Sequence, residues 1–308
     1  MQLSKAIQGF QLHMASGGYS TRTVRLYQDL LKHLAVFLGE IEIEKITLDD
    51  LKRFMIYMKI DYKPSRFSGD TSPISPAYLD NHWKAIRTFY KWASPILSIP
   101  RPDENLSRPK YRLPEVAPFS EDDIRKILTA CDYTKEFKRE NTKTYKLKRK
   151  TAIRDRALIM ILLDTGIRVG ELTRLKIEDV DLTTGACLIA PYETGRKTKP
   201  RTVYLGKASR RTLWLYLAKR DDYRQDDPLI PLGTDPIRLL LKGIEERSGV
   251  KNIHPHRFRH TFAIQYLRNK GDVFTLQRLL GHATLSMVQH YLALVDADSA
   301  DAHRRAIP

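Results

Sequence analysis

The chain has 308 residues, 42% of them hydrophobic and 29% charged, with 15 Gly and 16 Pro. That composition can bury a sizeable core and excludes a mostly disordered or collagen-like chain. No stretch nears the roughly 18 consecutive apolar residues of a membrane span, and Met1–Gly18 has no signal-peptide pattern. Two cysteines, Cys131 and Cys187, are too few for a disulfide framework or a zinc ribbon, which points to a reducing, cytoplasmic setting. Fifty-three Lys+Arg against 36 Asp+Glu give a net charge of +17. The excess is spread over both halves and favours a polyanionic partner, most simply nucleic acid.

In chain order, the first clear helical period runs from Thr21 to Gly39, where Val24, Tyr27, Leu30, Leu31, Leu34, Phe37 and Leu38 recur at three- and four-residue spacing. A second helix is expected from Thr47 to about Lys59, with Asp49 and Asp50 in its first turn. A polar loop, Asp61–Ile74, leads to a third helix. It opens at Ser75-Pro76, a capping residue with proline in the first helical position, and runs to about Trp92. Six prolines between Ser94 and Pro118 then read as an extended linker. The division expected is 1–105, a linker over 106–118, and 119–308.

Past the linker, Ser120 followed by Glu121, Asp122 and Asp123 is a helix start. Asp132–Lys150 carries eight basic and three acidic residues, either a DNA-facing arm or a solvated loop. Ile153–Asp164 reads as a buried helix. Ala186–Ala190 and Thr202–Leu205 read as short strands joined through the turn-rich Glu193–Arg201. Helices follow at about Lys207–Lys219, Pro236–Glu246, Pro255–Asn269, Val273–Leu280 and Thr284–Leu294. The fold class expected is mainly α, with a helical N-terminal domain and a mixed, mostly helical C-terminal domain holding a small β-sheet.

Four clusters in the C-terminal half could carry chemistry. Arg168 sits between Gly166 and Gly170 just after a buried helix, where tight turns could bring it rigidly to a phosphate, although a surface salt bridge to Glu171 would explain it equally. Gly195–Arg201 is a basic turn that could carry a lysine into a groove. His254–His260 places His256 and Arg259 on one helix face, a proton-exchanging group beside a fixed cation. Three histidines within seven residues could suggest a metal, but no carboxylate or cysteine accompanies them and neighbouring Lys and Arg would repel a cation. In Leu279–Tyr291, Gly281 breaks one helix, Thr284 can cap the next, and His282 and Tyr291 lie nine residues apart.

Read in order, these clusters supply Arg, Lys, His-x-x-Arg, and then Gly-His followed by Tyr. The set resembles the tyrosine recombinase family of phage integrases, Xer-type resolvases and Cre-like enzymes, over most of the chain. The resemblance implies a core-type DNA-binding domain in 1–105 and a catalytic domain with a C-terminal tail in 119–308. It implies that Tyr291 attacks a scissile phosphate to form a 3′-phosphotyrosyl bond. Arg168 and Arg259 would clamp the phosphate, His256 would accept the tyrosine proton and His282 would hydrogen-bond the phosphate. Lys197, in preference to Lys199, would protonate the departing 5′-oxygen, and Glu171 would orient its neighbours. No cofactor and no metal are implied.

The implied partners are double-stranded DNA with paired inverted-repeat sites and three further copies of the chain in a synaptic tetramer, with room for accessory DNA-bending proteins and no membrane. Length favours a Xer-like or transposon-encoded subtype. Three alternatives stand beside this reading: a non-catalytic DNA-binding regulator derived from a recombinase, a metal-dependent nuclease built on His254–His260, and a type IB topoisomerase or telomere resolvase with the same chemistry.

Overall fold

A computed structural model describes residues 1–66, 70–111, 117–136, 145–191 and 200–281, together with Val288, Gln289, Tyr291, Leu292 and Val295. The chain forms two compact units, Met1–Pro114 and Glu115–Pro308. Eleven α-helices and one two-stranded sheet are found among the described residues, and no helix there is long and apolar enough to cross a membrane.

The first unit contains α1 (Leu3–Ser16), α2 (Thr21–Leu38), α3 (Leu48–Ile60) and α4 (Pro76–Leu97), with a short 3₁₀ turn at Ile43–Lys45. The starts of α2, α3 and α4 are fixed by Ser20, Thr47 and Ser75, whose hydroxyl oxygens accept from backbone N–H groups three residues on. Helix α1 was not anticipated from sequence. Its Leu3, Ile7, Phe10 and Met14 line one buried face, and Phe10 meets Tyr27, Phe89 and Trp92 in the core.

The proline-rich stretch does not begin where the prolines do. Helix α4 continues through Pro95 to Leu97. The chain then folds back on its own unit: Trp83 Nε1 donates to the Leu106 carbonyl at 2.8 Å and Arg87 to that of Asp103 at 2.9 Å. Arg108 grips the buried Asp80 carboxylate at 2.7 and 2.9 Å. Arg108 first, with Lys84 also contributing, holds Asp80 well below the usual carboxylate range.

The second unit contains α5 (Glu121–Asp132), α6 (Ala152–Thr165), the single turn α7 (Val169–Leu172), β1 (Ala186–Ile189), β2 (Arg201–Tyr204), α8 (Lys207–Leu217), α9 (Thr234–Ser248), α10 (Pro255–Arg268) and α11 (Val273–Leu280). Strands β1 and β2 are antiparallel, with Cys187 opposite Val203. Helix α6 is buried along most of its length, as its apolar run predicts, and its Leu158, Ile161 and Leu162 belong to the core shared with Ile127, Leu213, Leu241 and Phe258. Residues 117–120 dock on α10: the Phe119 N–H donates to Thr261 Oγ1 at 2.9 Å, and Arg257 stacks 4.1 Å above the Phe119 ring. Tyr291 belongs to a smaller cluster with Ala263, Ile264, Leu276, Leu280 and Val288.

Candidate active site

Helix α6 ends at Gly166, which takes a left-handed conformation (φ 58°) and reverses the chain. A side chain could not be added there, because a Cβ would lie 2.5 Å from the Phe262 ring on α10. The glycine therefore serves both the turn and the close approach of α6 to α10. Two residues later Arg168 caps α7, and its backbone N–H donates to Glu171 Oε2 at 2.8 Å. Its guanidinium reaches Glu171 Oε1 only at 3.3 Å and keeps about a third of its side-chain surface exposed.

Arg259 is nearly inaccessible, at 3% exposure. Its Nη1 donates to the Gly166 carbonyl at 2.8 Å and its Nη2 to the Leu280 carbonyl at 2.6 Å. Carbonyls orient a guanidinium without neutralising it. Burial, then the neighbouring charge of Arg168, pulls the Arg259 pKa from 12.5 down to about 9, so it remains a cation at neutral pH. Glu171 is the carboxylate in direct contact with this cluster. Burial works against its ionisation, but the hydrogen bonds and charge of Arg201 outweigh that and hold it below the ordinary value.

His256 lies one turn before His260 on α10. Loss of hydration, followed by the charges of Arg259, His254 and Arg168, lowers the His256 pKa from its ordinary value and so favours the neutral ring. The His260 ring neighbours both groups of interest. It is 6.4 Å from that of His256 and 5.2 Å from that of Tyr291, edge-on to the latter.

Tyr291 is only 5% exposed. Burial raises its hydroxyl pKa, while Arg259 and Arg168 pull in the opposite direction. The phenol is thus stored inside the protein beside both arginines. Arg168, His256, Arg259 and Tyr291 are brought to one locality by the α6–α7 turn, α10 and the helical backbone around Tyr291. Lys197, Lys199 and His282 lie outside the described residues, as does most of the tail after Leu292.

Two residues not assigned a role from the sequence also enter. Arg201 binds Glu171 through both terminal nitrogens, at 2.9 and 2.7 Å. His260 has its ring near those of both His256 and Tyr291. The periodicity of α10 could have flagged His260, four residues from His256 on the same face, whereas the Arg201 pairing spans 30 residues and has no local signature.

This arrangement is a cluster of fixed cations with one shared carboxylate, an imidazole and a phenol. Comparison with known sequences decides the family, because the phage integrase family profile matches residues 118–297, more than half of the chain. The chain belongs to the phage integrase family.

The recombinase is similar to named tyrosine recombinases along nearly its whole length. It is 30% identical over 303 residues to the tyrosine recombinase XerC of Leptospira interrogans serogroup Icterohaemorrhagiae serovar copenhageni, covering 94% of this chain and 88% of that one. It is 27% identical over 293 residues to the tyrosine recombinase XerA of Saccharolobus solfataricus, again covering 94% and 88%. Its fold matches that of the Tn1549 transposon integrase in complex with a circular intermediate DNA (TM-score 0.71, 18% identity, 98% of this chain and 99% of that chain). It likewise matches lambda integrase bound to a core site (TM-score 0.69, 19% identity, 94% and 95%). The chain is accordingly a DNA strand-transferring enzyme of site-specific recombination.

Proposed function

We propose that this recombinase cuts and rejoins DNA with Tyr291 as nucleophile and Arg168, Lys197, His256, Arg259 and His282 as its reacting and binding groups. The Tyr291 oxygen bonds to the scissile phosphorus while the bond to the 5′-oxygen breaks, leaving a 3′-phosphotyrosyl link and a free 5′-hydroxyl. His256 takes the phenolic proton, and Lys197 gives one to the departing oxygen. Arg168 and Arg259 bear the charge that accumulates on the non-bridging oxygens, and His282 hydrogen-bonds the phosphate. The incoming 5′-hydroxyl of the exchanged strand reverses the step, so the phosphodiester energy is retained through the covalent intermediate.

One observation carries this reading. Burial, and after it the charge of Arg168, pulls Arg259 to about 9, and Tyr291 lies close enough to be influenced by both arginines. A dianionic transition state between the two guanidiniums would relieve their repulsion. Stored at 5% exposure, the Tyr291 ring must move out of its apolar seat when DNA binds.

The partner proposed is double-stranded DNA carrying paired inverted repeats, as the palindromic substrate of the related XerH recombinase suggests. Four copies would act on two duplexes in the cytoplasm, with unit 1–114 gripping the core of the site. The Xer relatives and the Tn1549 integrase fold support a Xer-like or transposon-type role.

A nicked suicide duplex carrying candidate repeats tests this. Wild type should form a covalent adduct that Tyr291→Phe cannot, and chelation should leave the yield unchanged. An adduct with Tyr291→Phe would refute the nucleophile. Lys197 is tested by its alanine variant on a substrate with a 5′-bridging sulfur, a leaving group that needs little protonation. Cleavage should recover there, and an equal defect on both substrates would remove Lys197 from the role.

A further inference from the structure

Arg201 opens β2, four residues after Lys197 in sequence, and is buried to 7% side-chain exposure. All three of its donor nitrogens are engaged. Nη1 and Nη2 grip Glu171 Oε1 and Oε2 at 2.9 and 2.7 Å, and Nε donates to the Leu279 carbonyl at 2.7 Å. Its guanidinium also fills the space beside Gly281, where an added Cβ would come within 3.1–3.2 Å of Cζ, Nη1 and Nε. Gly281 is left-handed (φ 63°) and ends α11. The residue before it, Leu280, supplies the carbonyl that holds Arg259. One side chain therefore joins β2, the carboxylate beneath Arg168 and the end of α11 that seats Arg259.

The two-point grip has an electrostatic consequence as well as a mechanical one. A fork-to-fork arginine–carboxylate pair engages both oxygens and balances the carboxylate's charge. Glu171 can still fix Arg168 through its backbone N–H, at 2.8 Å, while meeting its guanidinium only at 3.3 Å. Without Arg201, the buried carboxylate would have Arg168 as its remaining contacting cation and would draw that charge away from an incoming phosphate.

We infer that Arg201 is a positioning residue of strand cleavage: it occupies Glu171 so that Arg168 is oriented without being neutralised, and it fixes the end of α11 that seats Arg259. The inference rests on the reading of Arg168 and Arg259 as the phosphate clamp. It assigns Arg201 no contact with the reacting atoms.

The test compares single-turnover cleavage of a phosphodiester substrate with that of one whose scissile phosphate is an uncharged methylphosphonate, where charge neutralisation matters least. Arg201→Met should slow phosphodiester cleavage by roughly 100-fold, the scale expected for a misplaced catalytic group, with DNA affinity nearly unchanged. Most of that defect should vanish on the methylphosphonate. Adding Glu171→Gln to Arg201→Met should restore much of the phosphodiester rate, because the stray carboxylate is gone.

Equal slowing on both substrates would overturn the inference. Each preparation cuts both substrates, so any unfolded fraction cancels in the ratio. Should Arg201→Met not fold, Arg201→Lys, which keeps the charge but loses the fork, decides by the same ratio. Should the methylphosphonate react too slowly to read, additive losses in the double variant would overturn the proposal and rescue would support it. An adduct from Tyr291→Phe on the phosphodiester would instead sink the cleavage assignment itself, whatever the Arg201 ratio.

Discussion

Gly166 shows how a single residue sets the site. Its left-handed turn ends α6, its carbonyl accepts from Arg259, and its missing side chain admits the Phe262 ring. Gly166→Ala combines left-handed strain with overpacking and should cost about 2–4 kcal/mol of unfolding free energy. It should also weaken cleavage, since the carbonyl that aims Arg259 must shift. Denaturant unfolding checks the first part, and a loss below about 0.5 kcal/mol, the range of an ordinary surface change, would contradict the packing argument. The glycines around Arg168 were visible in the sequence as turn formers. That one of them makes room for a ring 96 positions away was not, because nothing local encodes which side chain comes to fill the gap.

Among elements, α4 carries the first unit's main titratable liability. His82 is fully buried on that helix, with Phe54 and Tyr78 edge-on to its ring at 5.6 and 5.1 Å and His33 tilted against it at 5.3 Å. Burial, then the neighbouring His33, lowers its pKa from 6.5 to about 4. The unfolded chain therefore binds a proton that the folded unit refuses. Stability from this group is complete above pH 6.5 and declines as pH falls toward 4, by up to about 1.4 kcal/mol per pH unit and roughly 3 kcal/mol in all. Trp83 and Trp92 report on the unit by fluorescence. Unfolding at pH 7 and pH 4.5 should show this decline in wild type and a smaller one in His82→Phe, and parallel curves would remove His82 as the cause.

The elements themselves were largely legible. Caps at Ser75 and Ser120, the apolar run of α6 and both strands lie close to where pattern and punctuation put them. Two readings differed for physical reasons. Helix α1 has no side-chain cap hydrogen bond and no acidic residue in its first turn, so its boundary signals are weak. Prolines over 94–118 read as an extended linker, yet α4 runs through Pro95 to Leu97, and a buried Asp80 and the Trp83 indole tie residues 106 and 108 back to that helix. Proline composition reports backbone stiffness and says nothing of such long-range polar contacts.

For the whole molecule, the net charge of +17 favours a polyanionic partner, and each phosphate that a Lys or Arg neutralises steepens the salt dependence of DNA affinity. The basic stretch after α5 begins and ends on fixed points. Tyr133 bridges to Lys148, and Arg149 donates to the Cys131 carbonyl and to the buried Asp155 carboxylate. Residues 137–144 lie outside the described residues, and they hold Lys138, Arg139 and Lys143. Removing these eight while keeping both anchors should flatten the slope of log affinity against log salt by up to about 3, since fewer counterions are released. An unchanged slope would exclude phosphate contacts there.

The order of motifs along the chain was enough to suggest the family, because each candidate residue sits in its own short pattern. The coupling between those patterns, through Glu171, Arg201 and the carbonyls of Gly166 and Leu280, exists only in three dimensions. On the proposed reading these groups serve one phenol. The most direct measurement is mass spectrometry of the peptide left on DNA after suicide-substrate cleavage and proteolysis. A 3′-phosphate bonded to Tyr291 is the predicted result; a link to any other residue, or to a 5′-phosphate, would contradict the account.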